Sequence, residues 1–279
     1  MNRLRNMSLK HVYMLNFLVF YYVVFAFGYA NHFFLTQFQP VSISHNRDLV
    51  ELALIATHLP HFLISHPSSF LILDSLVLIF PIGITIIYMK HNSFNKALGI
   101  SFMLLLSLYF LLQSILKQVS LQPYVPYVIL SAMFFANKKV HFQWVIKMAR
   151  WSFVYALGTA GVWKVARGAV FVPDEFSNIL IAQHSNYLTN NCNAFLCQVH
   201  FYLIEHTAFS QTLYVLATLL ELAFLVSFFT KKYDKWLVVL VITFVFFDQL
   251  VMRIPYWTIL VSAIPLWFSA EMERSHSDR

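Results

Sequence analysis

Long apolar runs bordered by short basic segments are the feature that most constrains this chain. Eight runs have the length and composition of membrane-spanning helices, which need about 20 apolar residues each. The runs are 12–30, 70–89, 98–116, 121–136, 148–165, 209–229, 236–251 and 255–268. With these spans, 14 of the 19 Lys and Arg residues fall on one side of the membrane and 5 on the other. Because cytoplasmic loops carry excess Lys and Arg, both termini are predicted to be cytoplasmic.

The composition excludes an ordinary soluble protein. The chain is 59% hydrophobic and only 11% charged, whereas soluble domains have about 25% charged residues. We therefore predict an all-α, polytopic helix bundle of the inner membrane, a single domain over residues 1–279. The net charge of +7 could suggest nucleic acid, but the basic residues lie beside apolar runs. The lipid bilayer is thus the expected partner, and nucleic acid is not.

Two of the eight runs have alternative interpretations. The first could be a cleaved signal peptide, since residues 28–30 resemble a small-residue cleavage site, but its length and the later spans favour an anchor. The fourth run is short and contains Pro123 and Pro126. We retain it because without it Lys231, Lys232 and Lys235 would face outward.

Two long loops, 31–69 and 166–208, are predicted to lie outside. Residues 49–64 mix apolar and polar side chains and suit a helix in the membrane interface. Residues 174–188 have apolar side chains mostly on one side at helical spacing. Either segment caps the outer face or merely covers loop backbone.

Five ionisable residues occur within or beside the apolar runs: Asp74, Lys164, Glu221, Asp248 and Arg253. A charged group at the centre of a spanning helix costs about 2.5–3.5 kcal/mol on insertion scales, so each needs a partner or a polar cavity. Four are expected at similar depth on the outer side, with Glu221 deeper. Such a set predicts either a structural ion-pair network or an outward-facing binding cavity.

Lys164 follows a stretch of small residues, namely Ala156, Gly158, Ala160 and Gly161. Small residues at this spacing let another helix approach closely. Packing that removes an amine from water favours its neutral form, which suits a base or nucleophile. The alternative is a lysine that extends to the membrane interface.

Histidines are concentrated in the predicted outer segments: His32, His45, His58, His61, His66, His184, His200 and His206. Imidazole clusters can bind zinc or copper. Since none has the spacing of a His-Glu-x-x-His motif, we predict no metal site and attribute most of them to interfacial packing.

The two cysteines, Cys192 and Cys197, lie together in the second outer loop. Cysteines in an oxidising compartment tend to pair. Their spacing differs from a Cys-x-x-Cys redox motif, so we predict a structural disulfide.

Residues 151–268 resemble a known family. Residues 155–165 (YALGTAGVWKV), 219–229 (LLELAFLVSFF) and 248–268 (DQLVMRIPYWTILVSAIPLWF) carry the likeness. In order and spacing they are similar to the HTTM family, the membrane region of vitamin K-dependent gamma-carboxylase-like proteins. DoxX-like membrane proteins, which are linked to quinones, have similar helices.

The resemblance implies roles for particular residues. Lys164 falls on the family's catalytic base toward reduced vitamin K, and Glu221 on its acidic position. Three features depart from the pattern. Trp163 replaces the first of two adjacent lysines, residues 122–127 lack the family's histidine, and the large lumenal domain is absent. The resemblance thus supports the fold better than the reaction.

Two main functional hypotheses follow, and metal handling by the outer histidines is a third. The first is a membrane protein that binds a quinone or another lipid-soluble ligand in an outward-facing cavity, with Lys164 as base. The second is a non-enzymatic membrane subunit, associated with partner membrane proteins, or a small transporter, in which the intramembrane charges are structural. The residues alone leave open whether the protein is an enzyme.

Overall fold

The computed structural model describes residues 9–38, 43, 49–91, 93–117, 125–190, 193–252 and 258–277. All secondary structure within these ranges is helical, which confirms the predicted all-α fold class. The α-helices are α1 (Leu9–Ala30), α2 (Leu49–Ala56), α3 (Leu59–Ser65), α4 (Ser68–His91), α5 (Lys96–Lys117), α6 (Val125–Ser131), α7 (Lys139–Ala166), α8 (Glu175–Asn190), α9 (Phe195–Glu205), α10 (Thr207–Ala223), α11 (Val226–Phe229), α12 (Asp234–Val251) and α13 (Thr258–Ser277). Short 3-10 turns occupy Leu35–Gln37, Ala132–Phe135 and Ala169–Phe171.

Within the described ranges, four helical segments are long and apolar enough to cross a membrane. They are Lys10–Gln37, Ser68–His91, Lys96–Leu116 and Thr207–Phe229. These segments overlap the first, second, third and sixth runs predicted from the sequence. Many large apolar side chains on α4, such as Leu71, Ile79 and Ile86, are exposed on the protein surface. Such a surface suits lipid rather than water, so the chain is a membrane protein.

Of the remaining predicted runs, the seventh agrees with α12 within two residues, whereas the fifth and the fourth differ more from the observed helices. Helix α7 begins at Lys139, nine residues before the predicted start of the fifth run. The described part of the fourth run is α6 and the 3-10 turn after it, 125–135. Those 11 residues extend under about 20 Å, less than the hydrocarbon core of a bilayer. That part of the fourth run is therefore too short to cross by itself.

The chain forms two compact units: Met1–Ala149 with Trp257–Ile264, and Arg150–Tyr256 with Pro265–Arg279. The first unit has an aromatic core. Phe134 packs edge-on against Phe17 and Phe102, with ring centroids 5.4 and 5.6 Å apart. Edge-to-face contacts of this kind add to the burial of large rings. At Gly99, α5 lies directly against the 3-10 turn, where a Cβ would be 2.7 Å from the Phe134 carbonyl oxygen.

A proline inside α4 explains the position of the Tyr21 hydroxyl beside it. Pro81 has no N–H, so the carbonyl of Val77 loses its helical hydrogen-bond donor. The Tyr21 hydroxyl donates to that oxygen at 2.9 Å, and the Tyr22 hydroxyl donates to the Leu78 carbonyl at 2.6 Å. Helix α1 therefore satisfies the backbone that Pro81 leaves open, which an apolar environment requires.

The predicted helix at 49–64 is two helices, α2 and α3. They are separated at Thr57 and His58, and His58 has the left-handed conformation with φ 58°. Pro60 follows in the first turn of α3, where its fixed φ and missing N–H are tolerated. The break at these two residues was not predicted from the sequence.

In the second unit, the predicted helix at 174–188 is confirmed as α8. Helix α9 follows it and was not predicted. Phe176 and Leu180 of α8 pack with Leu203 of α9 and Tyr214 of α10 in one apolar cluster, which Val251 of α12 completes. These contacts place α8 and α9 against α10, the helix that carries Glu221.

Candidate functional site

Lys164 and Glu221 form an ion pair in the second unit. The Lys164 Nζ atom lies 2.7 Å from Glu221 Oε1. Lys164 occupies the last turn of α7, and Glu221 lies in the last turn of α10. The lysine side chain is 28% exposed and the glutamate side chain 5%. The ammonium is thus accessible, whereas its carboxylate partner is buried.

Glycines allow α7 and α10 to approach closely enough for this pair to form. A Cβ on Gly161 would lie 3.0 Å from the backbone nitrogen of Leu222 and 3.1 Å from the Glu221 Cβ. A Cβ on Gly158 would lie 2.5 Å from a methyl carbon of Leu225. The small-residue stretch before Lys164 therefore meets another helix, as predicted.

A second carboxylate and an aromatic ring complete the site. Asp248 of α12 is 7% exposed and interacts electrostatically with Lys164 and Glu221. The Lys164 Nζ also lies 5.3 Å from the centroid of the Tyr214 ring, within the range of a cation–π contact. Three of the five predicted ionisable residues, Lys164, Glu221 and Asp248, are therefore close together in the second unit.

The charges of this cluster do not balance among the described residues. Glu221 and Asp248 can carry two negative charges, and Lys164 supplies one positive charge. The Glu221 Oε2 atom is buried and has no hydrogen-bond partner within the described part of the chain. Leaving a buried carboxylate oxygen without a donor is costly. A ligand that carries a hydrogen-bond donor would satisfy this oxygen.

Asp74, in the first unit, is held by neutral groups. Its carboxylate accepts hydrogen bonds from the backbone N–H of Leu35 and of Thr36 at 3.2 and 3.0 Å. It also accepts from the Thr36 hydroxyl at 2.8 Å and from the Tyr109 hydroxyl at 2.7 Å. A carboxylate with four donors at the start of a 3-10 turn needs no basic partner. Asp74 thus connects the 3-10 turn after α1 to helices α4 and α5. The fifth predicted ionisable residue, Arg253, lies outside the described residues.

The predicted disulfide stays a prediction, because Cys192 lies outside the described residues. Cys197 is buried in the first turn of α9, and its Sγ lies 3.8 Å from the carbonyl oxygen of Leu188. This contact places Cys197 near the end of α8, close along the chain to Cys192.

The outer histidines do not form a metal centre in the described part of the chain, where no group of three or more His, Cys, Asp or Glu side chains could hold an ion. His184 and His200 are buried with ring centroids 4.8 Å apart. The His200 Nε2 lies 2.6 Å from the Val251 carbonyl oxygen, which links α9 to α12. His58 and His61 are exposed, with centroids 6.2 Å apart.

A buried ion pair that the sequence analysis missed joins Arg150 of α7 to Asp234 of α12. The Arg150 Nε donates to one carboxylate oxygen at 2.7 Å and an Nη2 hydrogen to the other at 3.0 Å. The same Nη2 donates to the Ser227 carbonyl at 2.7 Å. The available signal was an arginine at the start of one apolar run and an aspartate just before another. This bidentate pair connects α7 to the start of α12 and helps fix the helices around Lys164.

The positions that carry the family resemblance can be located individually. Lys164 and Glu221 are in direct contact. Trp163, at the position where the family has a second lysine, is exposed, and the Arg167 guanidinium lies 5.3 Å from its ring centroid. The similarity to HTTM and DoxX-like proteins remains a prediction. Comparison with protein-family models, with curated proteins and with solved structures finds no match for this chain.

Proposed function

We propose that the chain is a multi-pass inner-membrane protein with eight spans and both termini in the cytoplasm. The four apolar helical segments and the unequal distribution of basic residues support this topology. Helices α7, α12 and α13 provide the fifth, seventh and eighth spans, and α6 is part of the fourth span. A fluorescent reporter that folds only in the cytoplasm, fused to the C terminus, should be fluorescent. If this fusion is dark, and a second fusion to a phosphatase that works only in the periplasm is active, the topology is contradicted.

The protein binds a quinone or another lipid-soluble ligand at the Lys164–Glu221–Asp248 site, which opens outward, with Lys164 as base. The observation that carries this proposal is the ion pair between an accessible ammonium and a buried carboxylate. A structural ion pair alone does not require the second buried carboxylate, Asp248. Ionisable groups with this degree of burial, clustered within membrane helices, are typical of functional sites.

The geometry suits proton transfer with a ligand hydroxyl. Because Lys164 Nζ and Glu221 Oε1 are 2.7 Å apart, a proton can move from the ammonium to the carboxylate and leave a neutral amine. That amine then accepts the proton of a ligand hydroxyl, which becomes an oxyanion beside the new ammonium. Asp248 stabilises the ammonium that forms. The partial exposure of Lys164 leaves room for the ligand to approach.

A specific observation also supports the alternative, a non-enzymatic membrane subunit or small transporter. The Lys164 ammonium already has a carboxylate partner, and Gly161 packs α7 tightly against α10. In that case the ion pair only holds the two helices together. The two hypotheses predict different results for the loss of Lys164. The first predicts the loss of a bound ligand, and the second predicts only weaker packing between the two helices.

The test is mass spectrometry of small molecules that co-purify with the detergent-solubilised protein, for the wild type and Lys164→Ala. Lys147→Ala is the matched control, because Lys147 lies on the same helix over the Trp144 ring at 5.1 Å. We expect a quinone or other lipid-soluble ligand in the wild type and the control, and its loss from folded Lys164→Ala. The same lipids in all three proteins would refute the ligand site and favour the structural alternative.

A further inference from the structure

Six basic side chains are exposed on the first unit near the ends of its helices. We call this set the basic surface: Lys90, His91, Lys96, Lys138, Lys139 and His141. Lys90 and His91 end α4, Lys96 begins α5, and Lys138 and Lys139 lie at the start of α7. Within the described residues, no salt bridge joins any of them to a carboxylate.

Specific hydrogen bonds bring these chain segments together. The Asn137 side chain accepts a hydrogen bond from the Phe94 N–H at 2.6 Å and donates to the Phe94 carbonyl at 2.7 Å. The segment between α4 and α5 is thereby joined to the segment before α7. The Lys10 ammonium donates to the carbonyls of Ala136 and Asn137, which fastens the start of α1 to the same place. Lys10 therefore has a structural role, whereas the lysines of the basic surface are available to a ligand.

Among the described residues of the first unit, no carboxylate lies beside the basic surface. Residues 75–149 contain no Asp or Glu. Asp74 precedes Lys90 by 16 residues on α4, about 24 Å along the helix. Glu51 accepts a hydrogen bond from Ser114, near the opposite end of α5 from Lys96. The acidic groups described in this unit thus lie at the other ends of its helices, and the positive charges repel one another unless an external anion binds.

The position of the basic surface identifies the anion. Both α4 and α5 are long and apolar enough to cross a membrane, and the basic residues lie at their ends. On α7, the Trp144 side chain is 57% exposed close to Lys139, and exposed tryptophans prefer the headgroup level. The anions available at that level are the phosphates of anionic lipids. The positive N-terminal ends of α5 and α7 also favour an anion there.

We propose that the basic surface binds the headgroup phosphates of anionic phospholipids. This role is independent of the ligand proposed at Lys164. A lysine near a membrane surface contributes about fivefold to the affinity for anionic lipid. Removing two of them should therefore weaken binding about thirtyfold.

The test is native mass spectrometry of the full-length protein titrated with phosphatidylglycerol or phosphatidylcholine. Lys138→Gln/Lys139→Gln should bind phosphatidylglycerol with about thirtyfold lower affinity than the wild type. Phosphatidylcholine should bind weakly to both proteins. The charge-matched control is Lys232→Gln/Lys235→Gln, which removes two exposed lysines of the second unit. Both already lie over aromatic rings, 5.5 Å from the Tyr233 centroid and 5.4 Å from the Trp267 centroid, so their loss should weaken phosphatidylglycerol binding much less.

Three outcomes would overturn the proposal. The first is unchanged phosphatidylglycerol binding in Lys138→Gln/Lys139→Gln. The second is an equal loss in the control variant, which would indicate a general effect of net charge. The third comes from a titration with inorganic phosphate: phosphate binding without retention of phosphatidylglycerol would show that lipid is not the source of the anion. Thermal unfolding and size-exclusion profiles that match the wild type establish that the variants are folded.

Discussion

Gly161→Ala should weaken the packing that holds Glu221 beside Lys164. The new methyl group would lie 3.0 Å from the backbone nitrogen of Leu222 and 3.1 Å from the Glu221 Cβ. These distances are shorter than ordinary van der Waals contact. A backbone atom in the last turn of α10 cannot rotate away as a side-chain methyl group can, so the helices must separate by a few tenths of an ångström.

Two opposing effects determine the magnitude. Overpacking typically costs about 1–3 kcal/mol, and replacing glycine by alanine within a helix gains about 0.5–1 kcal/mol. We therefore expect Gly161→Ala to lower the free energy of unfolding by about 0.5–2 kcal/mol. Gly83→Ala on α4 is the matched control, because its Cβ would have nothing within 4 Å. It should be stabilising by about 0.5–1 kcal/mol, since only the helix propensity changes.

The assay is denaturant-induced unfolding of both variants and the wild type in the same detergent, followed by circular dichroism. Ligand retention is measured on the same samples, and it should fall in Gly161→Ala and stay constant in Gly83→Ala. If Gly161→Ala were as stable as Gly83→Ala, the close approach of α7 and α10 at this position would be refuted.

Two further substitutions test contacts that support the fold. Tyr21→Phe leaves the Val77 carbonyl beside Pro81 without a donor and should cost about 1–3 kcal/mol in unfolding free energy; an unchanged unfolding curve would mean that this hydrogen bond contributes nothing. Arg150→Met removes the guanidinium that neutralises the buried Asp234 carboxylate and should cost about 3–5 kcal/mol, most of which Arg150→Met/Asp234→Leu should recover. Equal losses in the single and double variants, in the same unfolding assay, would contradict the assignment of a buried ion pair.

Hydropathy predicted the bounds of helices that are apolar on every face more accurately than the bounds of most other helices. Helices α1, α4 and α5 agree with their predicted runs within a few residues, since a long apolar segment in a membrane must be helical. The start of α7 was missed because residues 139–147 mix lysines with apolar residues. Helix α9 was missed because it lies in a segment assigned to a loop, and the break at His58 depends on a local left-handed conformation.

The candidate site was predictable in its residues but not in its contacts. A charge in an apolar run is recognisable from sequence, and Lys164, Glu221 and Asp248 were selected on that basis. Which charges meet depends on the rotation of each helix about its axis, which hydropathy does not report. Asp74 illustrates this, because its partners are backbone groups of Leu35 and Thr36 and two hydroxyls. The Arg150–Asp234 pair was missed because Arg150 lies at the start of one apolar run and Asp234 just before another, and neither position indicates that the two side chains meet.

The most direct test of the proposed function is ligand retention in the charge-swapped variant Lys164→Glu/Glu221→Lys, compared with the wild type by mass spectrometry of co-purified small molecules. The swap keeps an ion pair between α7 and α10 but moves the amine from the accessible position to the buried one. If Lys164 is the base of a ligand site, the folded double variant should retain no quinone-type ligand. Retention equal to that of the wild type would contradict the proposal and assign the pair a purely structural role.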